Sequence, residues 1–352
     1  MAFDITGGYP EELDFPLAGP PENPDMREST SMWISDKAGR FGFPRMTVES
    51  LAFDWENRGI EANLAFPTGR VLIGSGGFPA QPVKRSGDRA LSIGGGPLRF
   101  EVKEPLRHWT MTFDGTMYDR TISDQMRGIA SQERRRVVIT VDAHMAAPPW
   151  NPGEQAGRSG NDSAALAVGG VGGTRYEQLF TCTGSLSIEG EPEQHFEGTG
   201  LRVRRTGIRS LGEFKGHCWM SALFPSGKAF GALAFPAPDT DGPPSFSEAF
   251  IFDGANKRHG KVLQAPWLTH FEPHGGECAL ALEMEDGEVV RIGGLTHDSA
   301  FFPSNTPLLG DWSLDEPLPL PFHRGGVRYR WDGEETYGMI ERSLPLEQWR
   351  HQ

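Results

Sequence analysis

Alternation with a period of two runs through most of this chain. In the segment Arg-Val-Val-Ile-Thr-Val-Asp-Ala-His-Met (136–145), Val137, Ile139 and Val141 fall on one side, and Val138, Thr140, Asp142 and His144 on the other. In 217–224, His217, Trp219, Ser221 and Leu223 alternate with Cys218, Met220, Ala222 and Phe224. A third run, 278–285, separates Cys278, Leu280, Leu282 and Met284 from Ala279, Ala281, Glu283 and Glu285. Between such runs stand turn formers, at Asp36-Lys37-Ala38-Gly39, Pro67-Thr68-Gly69, Glu189-Gly190, Pro225-Ser226-Gly227, Asp286-Gly287 and Asp332-Gly333. These predict hairpins. A period of 3.6 is sustained nowhere, and Thr121–Arg135 is the best helix candidate. The pattern predicts an all-β protein.

Length and composition sharpen this reading. A chain of 352 residues suits two domains of about 170 each. With 45 glycines and 28 prolines it is built for many tight turns. Residues 1–30 are rich in proline and read as an extended arm, 31–165 as one half and 166–352 as the other, with the Gly/Pro/Ser-rich stretch 148–173 as linker. Ala65–Arg70 echoes Leu223–Lys228, and Thr112–Gly115 echoes Ile251–Gly254, as two related halves would. A net charge of −13 has the wrong sign for a nucleic-acid surface. No apolar run approaches the ~18 residues of a membrane helix, and no secretory leader opens the chain. Three widely spaced cysteines favour a reducing cytoplasm over a disulfide framework. Self-association is left open.

Cofactor motifs fail on context. Residues 165–174 have the glycine density of a dinucleotide loop, but a strand-like segment follows where a helix N-terminus is needed. His270 and His274 have the spacing of helical metal ligands, but Pro273 and Gly275-Gly276 make a loop of them. No nucleophile elbow or phosphate-binding lysine loop occurs. The expectation is chemistry without cofactor or metal.

Residues 176–235 carry a more specific signal. Tyr176-Glu177-Gln178 is followed by Ile188-Glu189-Gly190, by His195-Phe196-Glu197-Gly198 and by Gly200-Leu201-Arg202-Val203-Arg204-Arg205-Thr206-Gly207-Ile208-Arg209. Gly216-His217-Cys218-Trp219 and Phe224–Gly227 come next, and Tyr337–Ser343 continues the match more loosely. This resembles the lipocalin-like family of carotenoid 1,2-hydratases (hydroxyneurosporene synthases), kievitone hydratase and AttH-like proteins. The family strand reads roughly Gly-x-Arg-Asp-His-Ser-Trp-Gly-x-Arg. Its His and Trp are replaced here by Arg204 and Thr206, so the hydratase chemistry does not transfer directly. The resemblance implies two lipocalin-like β-barrels side by side and an apolar tunnel for a hydrophobic substrate.

If Arg202, Arg204 and Thr206 face such a tunnel, the guanidiniums need acceptors, and Glu177, Glu197 and Glu341 are candidates. An outward basic strand in surface salt bridges is the alternative. His217 and Trp219 share a face, as a proton-transfer pair or as ordinary core residues. The expected catalytic set is Tyr176, Glu177, Arg204 and His217, with Gln178, Arg202, Arg209 and Trp219 binding substrate. Tyr118-Asp119 and His108-Trp109 rank lower. Two functions fit this set. One is a cofactor-independent lyase that hydrates, dehydrates or eliminates a small fragment such as water or formaldehyde from an aromatic or isoprenoid molecule. The other is a non-catalytic carrier of a hydrophobic metabolite, with an isomerase or cyclase in the same cavity a third.

Overall fold

The computed structural model describes residues 3–153, 173–208, 215–237, 243–302 and 320–349. The fold is all-β. An arm with one 3₁₀ turn, Glu11–Asp14, leads into β1 (Met26–Asp36), β2 (Gly42–Leu51), β3 (Asp54–Ala65) and β4 (Arg70–Pro79). Two short pairs follow, β5 (Arg85–Ser86) with β6 (Arg89–Ala90), and β7 (Ser92–Gly95) with β8 (Leu98–Glu104). Then come β9 (His108–Thr121), β10 (Arg134–Met145), β11 (Arg175–Ile188) and β12 (Gln194–Ile208). Apart from β5–β6, which stands as its own two-stranded sheet, these strands form one antiparallel sheet in the order β10-β11-β12-β1-β2-β3-β4-β9-β8-β7. Because β9 also pairs with β10, eight of them close into a ring, and β7–β8 extends the far edge of β9.

The second unit is a closed eight-stranded barrel, with its strands in chain order. It comprises β13 (His217–Leu223), β14 (Ala229–Phe235), β15 (Phe246–Phe252) and β16 (Lys257–Gln264). It continues through β17 (Leu280–Met284), β18 (Val289–Phe302), β19 (Phe322–Trp331) and β20 (Glu334–Ser343). Among the described residues no helix is long and apolar enough to cross a membrane. The three cysteines are free and buried.

Two sequence expectations are corrected. The helix over Thr121–Arg135 is a single turn, Ile122–Met126. Thr121 and Asp124 form a capping box at its start, Gly128 takes a positive φ of 66° beyond its end, and β-alternation resumes at Arg134. The boundary at 165/166 also moves. Residues 175–208 are strands of the first ring, since β12 pairs with β1 along eleven residues. The stretch 148–173 therefore joins β10 to β11 within one barrel, and the chain crosses to the second after Ile208. Residues 154–172 of that stretch, with most of the 165–174 glycine run, lie outside the described residues.

The hairpin glycines behave as their turns require, with Gly39, Gly69, Gly190, Gly227, Gly287 and Gly333 all at positive φ. The echo of Ala65–Arg70 in Leu223–Lys228 marks corresponding tight turns, β3–β4 and β13–β14. Asp114-Gly115, by contrast, lies within β9, whereas Asp253-Gly254 is a turn, so that second echo is local chemistry. His270 and His274 lie in an irregular loop, as expected.

Each barrel is packed by one strand face. Met32, Phe43, Ile60, Phe100, Trp109 and Phe113 are among those filling the first. Met220, Phe230, Ile251, Leu282 and Tyr329 are among those filling the second. A third apolar cluster unites outward faces of both, with Trp33, Leu179, Leu201 and Val203 against Trp219, Leu223, Leu233, Phe250 and Met339. The two barrels therefore bury a shared seam.

At this seam Asp298, on a register shift of β18, is buried against Gly42 of β2 and Gly326 of β19. A Cβ on Gly42 would stand 2.5 Å from its Oδ1, so glycine is what admits the carboxyl. Burial pushes Asp298 up to about 7, against hydrogen bonds from backbone N–H groups, including that of Gly326 at 3.2 Å. An aspartate raised from its ordinary ~3.9 is protonated in the folded state while the unfolded chain has ionised. Its contribution is therefore complete below pH ~4 and is lost as pH rises towards 7. Asp298→Asn should gain stability relative to the wild type between pH 4.5 and 8, by up to a few kcal/mol in denaturant unfolding. An unchanged difference across that range would show that Asp298 is ionised in the fold.

Candidate functional site

The expected residues fall on two faces of one strand pair. In the register of β11 with β12, Tyr176 pairs Arg204 and Gln178 pairs Arg202, and these four side chains point into the first barrel. Their neighbours Arg175, Glu177, Leu201, Val203 and Arg205 point out, to the seam. Successive strand side chains alternate in direction, so the two sets cannot meet at one reacting atom. Arg209 lies outside the described residues.

Inside the first barrel the arginines are partnered, though not by the acids expected. Arg202 donates from Nη1 to Asp14 of the arm at 2.6 Å and from Nη2 to Gln178 Oε1 at 3.0 Å. Asp14 also accepts from Trp109 Nε1 at 2.8 Å, from the Tyr176 hydroxyl and from the Leu106 N–H. Burial alone would raise Asp14, but Arg202 and these donors hold it below its ordinary value. Burial raises Tyr176, with Asp14 adding to the shift, so the phenol stays neutral as a donor. Arg204 bonds Glu28 and the Phe15 carbonyl, the latter at 2.8 Å, while Gln178 donates to the carbonyls of Ile5 and Leu106. These contacts peg residues 5–17 of the arm onto the barrel. Glu197 lies exposed beside Lys37, and Glu177 and Glu341 lie in the seam.

The seam carries the second constellation. His217 is buried, its Nδ1 2.7 Å from Ser343 Oγ and its Nε2 3.3 Å from Glu341. Glu341 also bonds Arg324 at 2.8 Å within its own barrel and Arg45 of the first barrel at 3.4 Å, while Glu61 pairs with Arg45 beside it and with Arg324 across the contact. Burial would raise Glu341, but Arg324, Arg45 and His217 hold it well below the carboxylate range. It is therefore an anion fixed beside an imidazole.

Glu177 accepts from Trp219 Nε1 at 2.9 Å and pairs with Arg175. Here burial outweighs both partners and pushes the carboxyl above its ordinary value. Trp219 meets Trp33 edge-to-face at 4.7 Å, with the Arg175 guanidinium 5.4 Å from the Trp219 ring and that of Arg45 5.8 Å from the Trp33 ring. Further along, Glu49 joins Arg27 at 3.3 Å and Arg205 at 2.9 Å. The arrangement supplies an oriented imidazole, a carboxyl with raised affinity for its proton, an indole wall and several guanidiniums, all shielded from water.

Of the seam residues, the sequence singled out Glu177, His217 and Trp219 as site members and Glu341 only as an arginine's partner. Arg45, Glu61, Arg175 and Arg324 were missed. Glu61 stands in Ile60-Glu61-Ala62-Asn63-Leu64, which reads as a core face alternating with a wet face. A second barrel covers that wet face. The available signal was that no lysine occurs at these positions, only Arg and Glu.

The chain belongs to the family whose model matches residues 17–345, described as a domain of unknown function (DUF7064). No curated protein matches it. Among solved structures, CghA with Sch210972 superposes with a TM-score of 0.55 at 10% identity, over 97% of this chain and 98% of that one. An AttH-type protein from Nitrosomonas europaea gives 0.52 at 13% identity, over 90% and 92%. Kievitone hydratase from Nectria haematococca gives 0.48 at 11%, over 98% of each chain. The likeness is one of fold, and it is the lipocalin-like, two-barrel fold that the sequence resemblance implied.

The pegging of the arm has a direct test. Asp14→Ala leaves the Arg202 guanidinium buried without its carboxylate and should cost about 3–5 kcal/mol in denaturant unfolding. Adding Arg202→Met should recover only the part due to the stranded guanidinium, since the Trp109, Tyr176 and Leu106 donors stay without their acceptor. A loss below about 1 kcal/mol for Asp14→Ala would mean that the arm does not depend on this pair.

Proposed function

We propose that the seam is the active site of a cofactor-independent lyase. It adds or removes water, or eliminates a small fragment such as formaldehyde, on a hydrophobic aromatic or isoprenoid molecule. The observation that carries this is the clamping of His217 at both ring nitrogens by Ser343 and an ionised Glu341, on the strand face that also presents Trp219 and, through it, Glu177. A histidine that only packs a core has no need of an anion on one side and a hydroxyl on the other. A carrier needs an apolar lining and an anchor, not two titratable groups of opposed tuning.

In the dehydration direction the substrate hydroxyl takes the place of Ser343 Oγ at His217 Nδ1 and is protonated there, leaving as water, while Glu341 stays paired with Nε2. Glu177 takes the proton from the neighbouring carbon, whose electron pair forms the double bond. Hydration is the reverse. Arg175 or Arg324 steadies an oxyanion on the substrate, and the Trp33–Trp219 pair, packed beside a void of only about 10 Å³, parts to offer its flat apolar body. Tyr176, Gln178, Arg202 and Arg204 serve this site indirectly, by holding the strands and the arm. The fold is known with a bound compound in CghA, which agrees with a small-molecule ligand.

Phenolic and isoprenoid alcohols and alkenes, incubated with the chain and followed by mass spectrometry, should reveal a mass change of 18 for water or 30 for formaldehyde, as the chemistry requires. On the substrate found, His217→Gln should lower kcat about 10²–10⁴-fold with the fold intact by thermal melt. Glu341→Gln should lower it and move the alkaline limb of the dehydration pH profile, which reports loss of the imidazolium proton, to lower pH. Binding without turnover by the wild type would favour the carrier, and a kcat for His217→Gln within twofold of wild type would remove the seam histidine from the reaction.

A further inference from the structure

Away from the seam, the outer face of β9 and β10 brings together two histidines and a carboxylate. His108 and His144 are directly opposite in the antiparallel register, and Asp142 lies two residues before His144 on the same face. The His108 and His144 rings stack with centroids 4.2 Å apart. Asp142 holds His108 Nε2 through one carboxylate oxygen and stands 3.6 Å from His144 Nε2 through the other. One ligand atom from each of the three lies within 4.8 Å of the other two. Among the described residues this is the sole group of its kind.

We propose that His108, Asp142 and His144 bind one divalent transition-metal ion of the zinc class. Two imidazole nitrogens and a carboxylate oxygen are the donor set that such ions take with one position left open. Tetrahedral zinc with bonds near 2.1 Å asks for donor atoms about 3.4 Å apart, which rotation of half-exposed side chains supplies. The backbone is already set, because the cross-strand pair fixes both histidines and the i, i+2 step fixes Asp142.

Asp142 also lines one part of a groove of about 1230 Å³ on this face, where Thr110, Thr112, Thr140, Thr183 and Ser185 present hydroxyls. The open position of the ion is therefore offered to water or to an oxygen-rich occupant of that groove. β9 and β10 carry none of the seam residues, so the ion is separate from the proposed lyase chemistry, and chelation should leave turnover unchanged. Zinc binding and seam activity can thus fail independently of each other.

The full chain without an affinity tag, stripped with chelator, is titrated with Zn²⁺ by calorimetry at pH 7.5 and with Co²⁺ by visible absorption. One equivalent should bind, and Co²⁺ should give the intense visible bands of a low-coordinate site. His108→Ala and His144→Ala should each weaken Zn²⁺ binding by more than the roughly 10–100-fold that loss of an outer-sphere partner costs. Asp142→Asn should weaken it less, since an amide oxygen can still ligate. His274→Ala, near His297 on the second barrel, should leave the affinity unchanged. Absence of a one-to-one isotherm in the wild type would overturn the proposal. So would stoichiometric binding that survives His108→Ala with His144→Ala, or that is lost in His274→Ala.

Discussion

A guanidinium cannot sit in an apolar interior without an acceptor, and the β11–β12 pair carries guanidiniums on both of its faces. The inward ones, Arg202 and Arg204, meet Asp14 and Glu28, and this draws the arm onto the first barrel. The outward ones, Arg175 and Arg205, meet Glu177 and Glu49 at the seam, where Arg45 and Arg324 share Glu61 and Glu341. Buried ion pairs of this kind add little net stability, because desolvation offsets most of the attraction. They do make alternative arrangements costly, since a slip of one residue would strand every charge against the wrong partner. Where arm, first barrel and second barrel sit relative to each other follows from that constraint.

Much of the fold was legible because alternation and turn chemistry are local. The strands at 137–145, 217–223 and 280–284 and the six hairpin turns were readable from residue type and spacing alone. The division into halves was not, because closure of the first ring depends on β12 returning to β1 across about 170 residues, and no local pattern records that pairing. The helix over 121–135 failed for the opposite reason, a good start signal at Thr121 cut short by Gly128 and by the pull of a sheet neighbour.

The candidate site could be read from the sequence as a list of residues to consider and not as a place. Tyr176 and Arg202 do converge, as the single hairpin between their strands implies, but on the arm carboxylate Asp14 that no motif announced, with Gln178 bracing Arg202 and Arg204 turned to Glu28 of β1. Glu177 was placed with them by nearness in sequence, yet one step along a strand reverses direction, and it joins Trp219 and the seam instead. Asp298 and Glu341 show how position governs chemistry. Both are buried carboxyls. The one without an arginine is pushed up, and the one beside two arginines and a histidine is held down. The seam gains its tuning from such contrasts, and neither value could be read before the partners were known.

The account assigns the two faces of β11–β12 different work, the inner to hold the arm and the outer to meet the substrate. A crystal structure of the chain with a phenolic substrate or product bound tests that division most directly. The account predicts ligand density in the seam, with a polar atom within hydrogen-bonding distance of His217 and the aromatic body against Trp219, while Asp14 remains on Arg202. Density inside the first barrel, with the arm displaced and the ligand's oxygen on Arg202 or Tyr176, would contradict it.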